Sequence, residues 1–591
     1  MKPTLDFLVI GAGWAGLYAA KYAREVGLEV TILEGRDDLG GVWNYTDDPA
    51  IITVMRNTVS SSSRHVTEAS DFSMGEAAGN FFRHEDALAF LRRYAERFGL
   101  SDRIVTSARV ARAGKADGLW QVDTEDGRCF TAKRLAIATG VHQRRRPISG
   151  PVTEFTGAVV HTAELKHPLD LGVGTGDHVI VYGGGETAAD VVHDLATGTA
   201  AEITWAIRGG QHFFRKAPLR RDRGQPPGAY DRYDMALDEY SSGAIGVMTS
   251  VKNTVPGVRH LGNLGTSGSL FSYQGHGVAE WQNEIPLYRQ FFNKNGHALE
   301  HVWNGRVTPA RGIVRCHGDT VVFEDGREVQ ASHIVCSFGY QPDFSFLPEA
   351  LAAVPTDRLH RLVFHPDDPS LAFFGFARPT ILSLPYMIEL QCLYAARVWS
   401  GRVVLPDPET MRAEADADAA ALDAVFGYER SNRNITCPFW YLEVMMKAMH
   451  EDSLRRLFAR FDPRRDWALF SRAVRVPASP LLLRLITSDE VGPEERARMD
   501  EYISPMPFRF RRQDVSLLRY LLTYGLMIGL SRLLRLDALF DAIARRRMAR
   551  RGRAIALRPA PAGVGAAVSA PVSIPSSAVD TIPPSPGGSA V

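Results

Sequence analysis

Two short glycine clusters, GAGWAG at residues 11–16 and GGGETA at 183–188, constrain the fold of this 591-residue chain more than any other feature. Each follows an apolar run of strand length, FLVI and VIVY, and each opens a segment with helical spacing. Strand, tight turn and helix in that order make the phosphate-binding corner of a dinucleotide domain. In the first cluster Gly11 makes the turn, Gly13 lets backbone approach a pyrophosphate, and Gly16 lets the helix pack on the strand. The helix N-terminus then offers unpaired amides to phosphate. Glu34 closes the next strand about 20 residues on, where a carboxylate holds ribose hydroxyls.

In the second cluster Gly183 and Gly185 take the first two roles and Ala188 the third, with Thr187 and Asp190 assigned to the same site. The following strand, ITWAI, leads to Arg208 rather than to an acid. A carboxylate there would repel a 2′-phosphate, whereas a guanidinium binds one in bidentate fashion, so this site reads as NADP. Two dinucleotide sites in one chain imply hydride transfer from a nicotinamide to a second cofactor, and a flavin is the natural acceptor.

The length calls for two or three domains. The expected fold class is α/β, with two Rossmann-like dinucleotide-binding domains for FAD and NADP, a helical C-terminal extension and a disordered tail. The first part of the FAD domain is expected at 1–168 and the NADP domain at 169–330, with a polar, aromatic insertion at about 212–304. The second part of the FAD domain follows at 331–405, the helical region at 406–558 and a tail rich in Pro, Ala, Ser and Gly at 559–591. GLWQVDTEDG and RCFTAKRLAIATG read as short strands returning to a buried one, and HIVCSFGYQPDF repeats the idea.

A net charge of +1 gives no reason to expect a nucleic-acid partner. The five cysteines form no CxxC pair, which argues against a zinc ribbon or a dithiol centre and suits a reducing compartment. FLVIGAG begins at Phe7, leaving no room for a targeting peptide, so a cytoplasmic enzyme is expected. Near the C-terminus, DVSLLRYLLTYGLMIGLSRLLRL is apolar but broken by Arg519, Arg532 and Arg535, too short a run to span a bilayer. With the basic residues from Arg545 to Arg553 it reads as a core helix or a homodimer contact in preference to a face resting on a membrane.

With these residues placed, the sequence resembles the flavin-containing monooxygenases, the class B flavoproteins, from about residue 5 to 405. GGVW (Gly40, Gly41, Val42, Trp43) stands where the family contacts flavin, and ATG ends at Gly140. SDF at 70–72, SFGY at 337–340 and GFARPTILSLPYMIELQCLYAARVWSG also resemble family segments; the last carries Glu389 and Gln391, near the flavin in relatives. Phe155, Gly157 and His161 match the family's FxGxxxH linker between the two nucleotide domains, with Leu165 replacing its final aromatic residue. Gly157 would allow close backbone approach, and His161 would hold one domain against the other.

The resemblance implies that NADPH reduces FAD, that oxygen adds at flavin C4a, and that a small substrate attacks the resulting (hydro)peroxide in a dry pocket. Relatives place an asparagine beside the flavin. Alignment back from SDF puts Ser61 there, followed by Ser62, while Asn57 reaches that place only if the loop shifts by four residues. A hydroxyl offers one donor where an amide offers two and an acceptor. N-oxygenation or S-oxygenation leads, with Baeyer–Villiger oxidation of a ketone and a reductase without oxygenation as alternatives. Arg215, Lys216, Arg220, Arg221 and Arg223 in the insertion suit an anionic substrate such as an amino acid oxidised at nitrogen.

Overall fold

A computed structural model describes residues 3–209 apart from 80, then 211, 213 and 281, 293–426 apart from 380 and 381, 435–451 apart from 437, and scattered positions between 456 and 497 that include the helix Pro480–Thr487. The insertion arginines, the apolar C-terminal stretch and the tail lie outside the described residues.

The first glycine turn joins β1 (Phe7–Ile10) to α1 (Trp14–Glu25), which leads to β2 (Val30–Leu33). The second joins β3 (His178–Tyr182) to α2 (Glu186–Gly198) and β4 (Glu202–Ala206). β1 is buried along its length, as a parallel strand covered on both faces must be. Its Phe and aliphatic side chains each contribute about 1.5–3 kcal/mol by leaving water.

β1 stands between β2 and the strand Leu135–Ile137 in a six-stranded sheet that also holds Ile104–Val105, Phe364–His365 and Asp368–Phe373. β3 stands between β4 and His333–Cys336 in a five-stranded parallel sheet that adds Thr308–Ala310 and Ala158–His161. In both, the glycine turn leaves the point where strand order reverses, which opens a crevice for a ligand. Each sheet also carries an antiparallel three-stranded excursion, at 110–132 and at 313–330, before its returning strand. The helix Leu384–Trp399 closes the first unit over α1, with the Phe7 and Trp399 rings 4.5 Å apart. The helices Pro408–Phe426, Pro438–Ala448 and Pro480–Thr487 follow. No described helix is long and apolar enough to cross a membrane.

The boundaries expected at 168 and 330 shift. Ala158–His161 and His333–Cys336 pair with each other and belong to the second sheet, so the linker itself is an edge strand of that unit. The short apolar run of AVVH carries no sign of which sheet takes it.

The linker residues explain their own spacing. Phe155 is buried, and a Cβ on Gly157 would lie 2.6 Å from its ring and 2.7 Å from the Ser332 carbonyl oxygen. That carbonyl accepts the Ala158 N–H at 3.0 Å, so Gly157 is required by crowding at the start of the edge strand. His161 is fully buried against Tyr340, and its Nδ1 accepts the Ala163 N–H at 3.0 Å. Burial holds its imidazole down at about 4, and the same cause holds His65 and His142 at about 4.

Two outcomes are expected. Gly157→Ala should cost about 1–3 kcal/mol in urea unfolding, the penalty for overpacking a filled site. The three depressed histidines bind fewer protons folded than unfolded, so their contribution is present above pH 6.5 and is lost as pH falls toward 4. His161→Asn keeps an acceptor near the Nδ1 position but cannot titrate, so its melting temperature should fall less steeply than that of the wild type over that window.

Candidate active site

At the first turn Gly11 has φ +104°, and a Cβ there would lie 2.6 Å from the Ala138 carbonyl oxygen. A Cβ on Gly16 would lie 1.8 Å from the Gly11 carbonyl oxygen, so helix and strand touch through backbone. Beside Gly13 the nearest atom to such a carbon is Gly41 Cα at 3.6 Å. α1 starts with no side-chain cap and no acid in its first turn, which leaves its N-terminal amides open to an anion. The Gly40 N–H donates to the Ala12 carbonyl at 3.0 Å, the Val42 carbonyl accepts the Val54 N–H at 3.0 Å, and Trp43 packs on Trp14 and Phe82. Gly140 has φ +84° with open space around it.

Glu34 is 7% exposed and accepts N–H bonds from Ala12 at 2.8 Å and Arg36 at 2.9 Å. Burial pushes its carboxyl up, and those two bonds pull it back. Each oxygen keeps a lone pair for a ribose hydroxyl. An uncapped helix start, a glycine without near neighbours and a fixed carboxylate at the next strand end fit an adenine dinucleotide such as FAD.

The second turn repeats the glycine geometry, although α2 carries Glu186 in its first turn where α1 has no acid. Gly183 has φ +144°, and a Cβ there would lie 2.6 Å from the Ser337 carbonyl oxygen. Gly185 has nothing within 4 Å of an added carbon, and Ala188 is fully buried where helix meets strand. Thr187 is half-exposed in the first turn of α2, while Asp190 accepts a bond from Asn295 Nδ2 at 2.8 Å. The Gly183 carbonyl accepts from Trp205 Nε1 at 2.8 Å, and that of Gly184 from Gln211 at 2.9 Å and Asn293 at 3.1 Å. Arg208 is exposed, and no carboxylate pairs with it among the described residues. The set fits NADP.

The run SSSS divides in two. Ser60 and Ser63 are buried: Ser60 exchanges bonds with the Phe82 backbone at 2.8 and 3.1 Å, and the Ser63 carbonyl accepts from Thr67 Oγ1 at 2.7 Å. Ser61 and Ser62, between these anchors, are half-exposed, and their hydroxyls make no bond within the described residues. Asn57 is turned elsewhere, its amide 2.5 Å from His167 Nε2.

Two residues placed near the flavin by resemblance are bonded into the protein. Gln391, fully buried, accepts from the Gly375 N–H at 3.0 Å and donates to the Leu362 carbonyl at 2.7 Å. Glu389 accepts from Tyr22 at 2.9 Å and from the Ser70 amide and hydroxyl, while Asp71 pairs with Lys21 at 2.6 Å. The segment SDF is thus a strut between α1 and the helix Leu384–Trp399, and burial beside Asp71 pushes the Glu389 carboxyl up to about 7.

His142, Arg378, Arg146 and Glu186 are drawn together from the ATG loop, the GFARP segment and the second turn. His142 is exposed, and Arg378 lies within its electrostatic reach. Sequence reading also missed Lys166 and His167. Lys166 is buried, donating to Thr53 Oγ1 at 3.0 Å and to the Ile51 carbonyl, and HTAELKHP carries no pattern that signals this.

The chain matches the flavin-binding monooxygenase-like family over residues 6–237 and 270–500. It is 27% identical over 428 residues to the N-oxide-forming dimethylaniline monooxygenase 2 of Mus musculus, covering 69% of this chain and 75% of that one. It is 25% identical over 541 residues to the N-oxide-forming dimethylaniline monooxygenase 4 of Rattus norvegicus, covering 88% and 91%. Among solved structures, the S-allyl-L-cysteine S-oxygenase of Allium sativum superposes with a TM-score of 0.54 at 20% identity, over 85% of this chain and 99% of that one. The closed form of cyclohexanone monooxygenase gives 0.51 at 17% identity, over 76% and 97%. The chain belongs to the flavin-binding monooxygenase-like family and is an NADPH-dependent flavoprotein monooxygenase.

Proposed function

We propose that this monooxygenase oxygenates nitrogen or sulfur in a small, anionic substrate such as an amino acid or another acidic amine or thioether. The observation behind the reading is that Arg378, in the GFARP segment, lies within electrostatic reach of Arg146 and of Glu186 at the second turn. Guanidinium groups near the second turn suit an anionic group. The names of similar proteins point to the same oxygenated atoms: dimethylaniline is a neutral amine and S-allyl-L-cysteine an amino-acid thioether.

Bound FAD would take a hydride from NADPH and activate oxygen. The chain's own part is to hold the two dinucleotides at turns that lead into one crevice, to exclude water and to present donors. Ser61 and Ser62 are the donors proposed at the ring, their loop pinned on either side by Ser60 and Ser63. Arg208 would hold the 2′-phosphate, and Glu34 a ribose.

The test offers the holoenzyme acidic amines and thioethers, neutral analogues and cyclic ketones under isotopic oxygen, following NADPH and product together. One labelled oxygen on nitrogen or sulfur per NADPH, with acidic substrates favoured, supports the reading. A labelled ester or lactone from the ketone would replace it with the Baeyer–Villiger reading, and NADPH oxidation without any oxygenated product with the reductase one. Ser61→Ala should raise hydrogen peroxide released per NADPH about two- to tenfold, the worth of one hydrogen bond. Ser61→Asn should lower it.

A further inference from the structure

Three glycines in a row, Gly183 to Gly185, leave the second turn with no side chain to set its peptide planes. Two buried amides hold one of those planes from behind. The Gly184 carbonyl accepts from Gln211 Nε2 at 2.9 Å and from Asn293 Nδ2 at 3.1 Å, which fills both of its lone pairs. The other end of the Asn293 amide fixes which way it faces. Its Oδ1 accepts the Asn295 N–H at 2.7 Å, which only an oxygen can do, so Nδ2 is the atom turned to Gly184. Asn295 is tied in turn to α2, its own amide reaching Asp190 Oδ1 at 2.8 Å.

A trans peptide points its carbonyl and its N–H in opposite directions. With the Gly184 carbonyl held on the side of Gln211 and Asn293, the Gly185 N–H points the other way. Among the described residues nothing accepts that N–H, and no atom lies within 4 Å of a carbon added to Gly185. It stands free at the start of α2, where the pyrophosphate of a dinucleotide belongs. The first turn reaches the same result by other means. There Ala12 stands in the place of Gly184, and its carbonyl accepts the Gly40 N–H at 3.0 Å. The following N–H, that of Gly13, is likewise accepted by nothing among the described residues. One turn is set by backbone, and the other by two side chains that lie outside its glycine motif.

We propose that Asn293 and Gln211 are positioning residues for the nicotinamide cofactor, holding the Gly184 carbonyl so that the Gly185 N–H is aimed at the pyrophosphate. The proposal rests on the assignment of NADP to the second turn. It predicts a defect felt through the pyrophosphate and not through the 2′-phosphate.

The experiment compares wild type, Gln211→Met and Asn293→Asp as FAD-loaded enzymes. Gln211→Met keeps the bulk and removes the donor. Asn293→Asp keeps an acceptor for Asn295 and sets a carboxylate oxygen against the Gly184 carbonyl. Two ligands are titrated: NADP+, read from the flavin absorbance, and adenosine 2′-monophosphate, read as its competitor, which has the 2′-phosphate but no pyrophosphate. The dissociation constant of NADP+ should rise about threefold in Gln211→Met and about tenfold in Asn293→Asp, the range of one lost hydrogen bond. KM for NADPH should rise by the same factors. The constant for adenosine 2′-monophosphate, the FAD content and the rate of flavin reduction at saturating NADPH should stay within about twofold of wild type. Equal weakening of both ligands would mean that the two amides only hold the fold, and would overturn the proposal. Unchanged NADP+ binding in both variants would overturn it as well. A wild type that binds NADP+ no more tightly than adenosine 2′-monophosphate would instead sink the assignment of NADP to the second turn, and the proposal with it.

Discussion

At each glycine turn the backbone of one strand end presses on the backbone of the next. A side-chain carbon on Gly11 would lie 2.6 Å from the Ala138 carbonyl oxygen, and one on Gly183 would lie 2.6 Å from that of Ser337. The ladders continue through the same residues, with the Ala138 N–H on Ile10 and the Ser337 N–H on Tyr182. ATG and SFG are therefore one device used twice: a strand end that fills the space beneath the turn, then a glycine, Gly140 or Gly339, at φ +84° or +78° to leave it. With no side chain at the turn, each helix starts directly over its strand and its free amides open on the crevice.

A second constraint closes the first unit. Glu389 and Asp71 bring two acids into the apolar interface between α1 and the helix Leu384–Trp399, and Lys21 with the hydroxyls of Tyr22 and Ser70 answers them. Buried charge is tolerated only when paired, so this cluster specifies one seating of that helix more than it adds stability. The seating matters for the site because the GFARP segment leads into the helix and sets Arg378 beside Glu186 of the other unit.

Both fingerprints could be read directly from the chain because a glycine turn is dictated by local clearances, and the alternation of strand and helix around it follows from hydrophobic periodicity. The paired sheets of the structure bear out the α/β reading. The membership of Ala158–His161 was hidden, since edge-strand pairing depends on a partner 175 residues later in the register of His161 with Cys336. The orientations of Gln391 and Asn57 were hidden for a similar reason. A family segment tells which residue stands at a position, but the amide turns toward whichever buried groups lack a partner, and Leu362, Gly375 and His167 come from remote stretches. Of the SSSS run, composition alone could not separate the two buried anchors from the two open hydroxyls.

Those anchors decide whether Asn57 can ever replace Ser61. A four-residue slip would carry Ser60 from both of its bonds with Phe82 and pull Ser63 from the start of the helix Arg64–Thr67. It would also strip Asn57 from His167. At about 1 kcal/mol for each neutral hydrogen bond, the slipped loop lies several kcal/mol above the one observed. That difference keeps the slipped form below about one molecule in a hundred. With the loop so held, hydroxyls and not an amide stand at the position that the family resemblance assigns, and Ser61 and Ser62 offer one donor each.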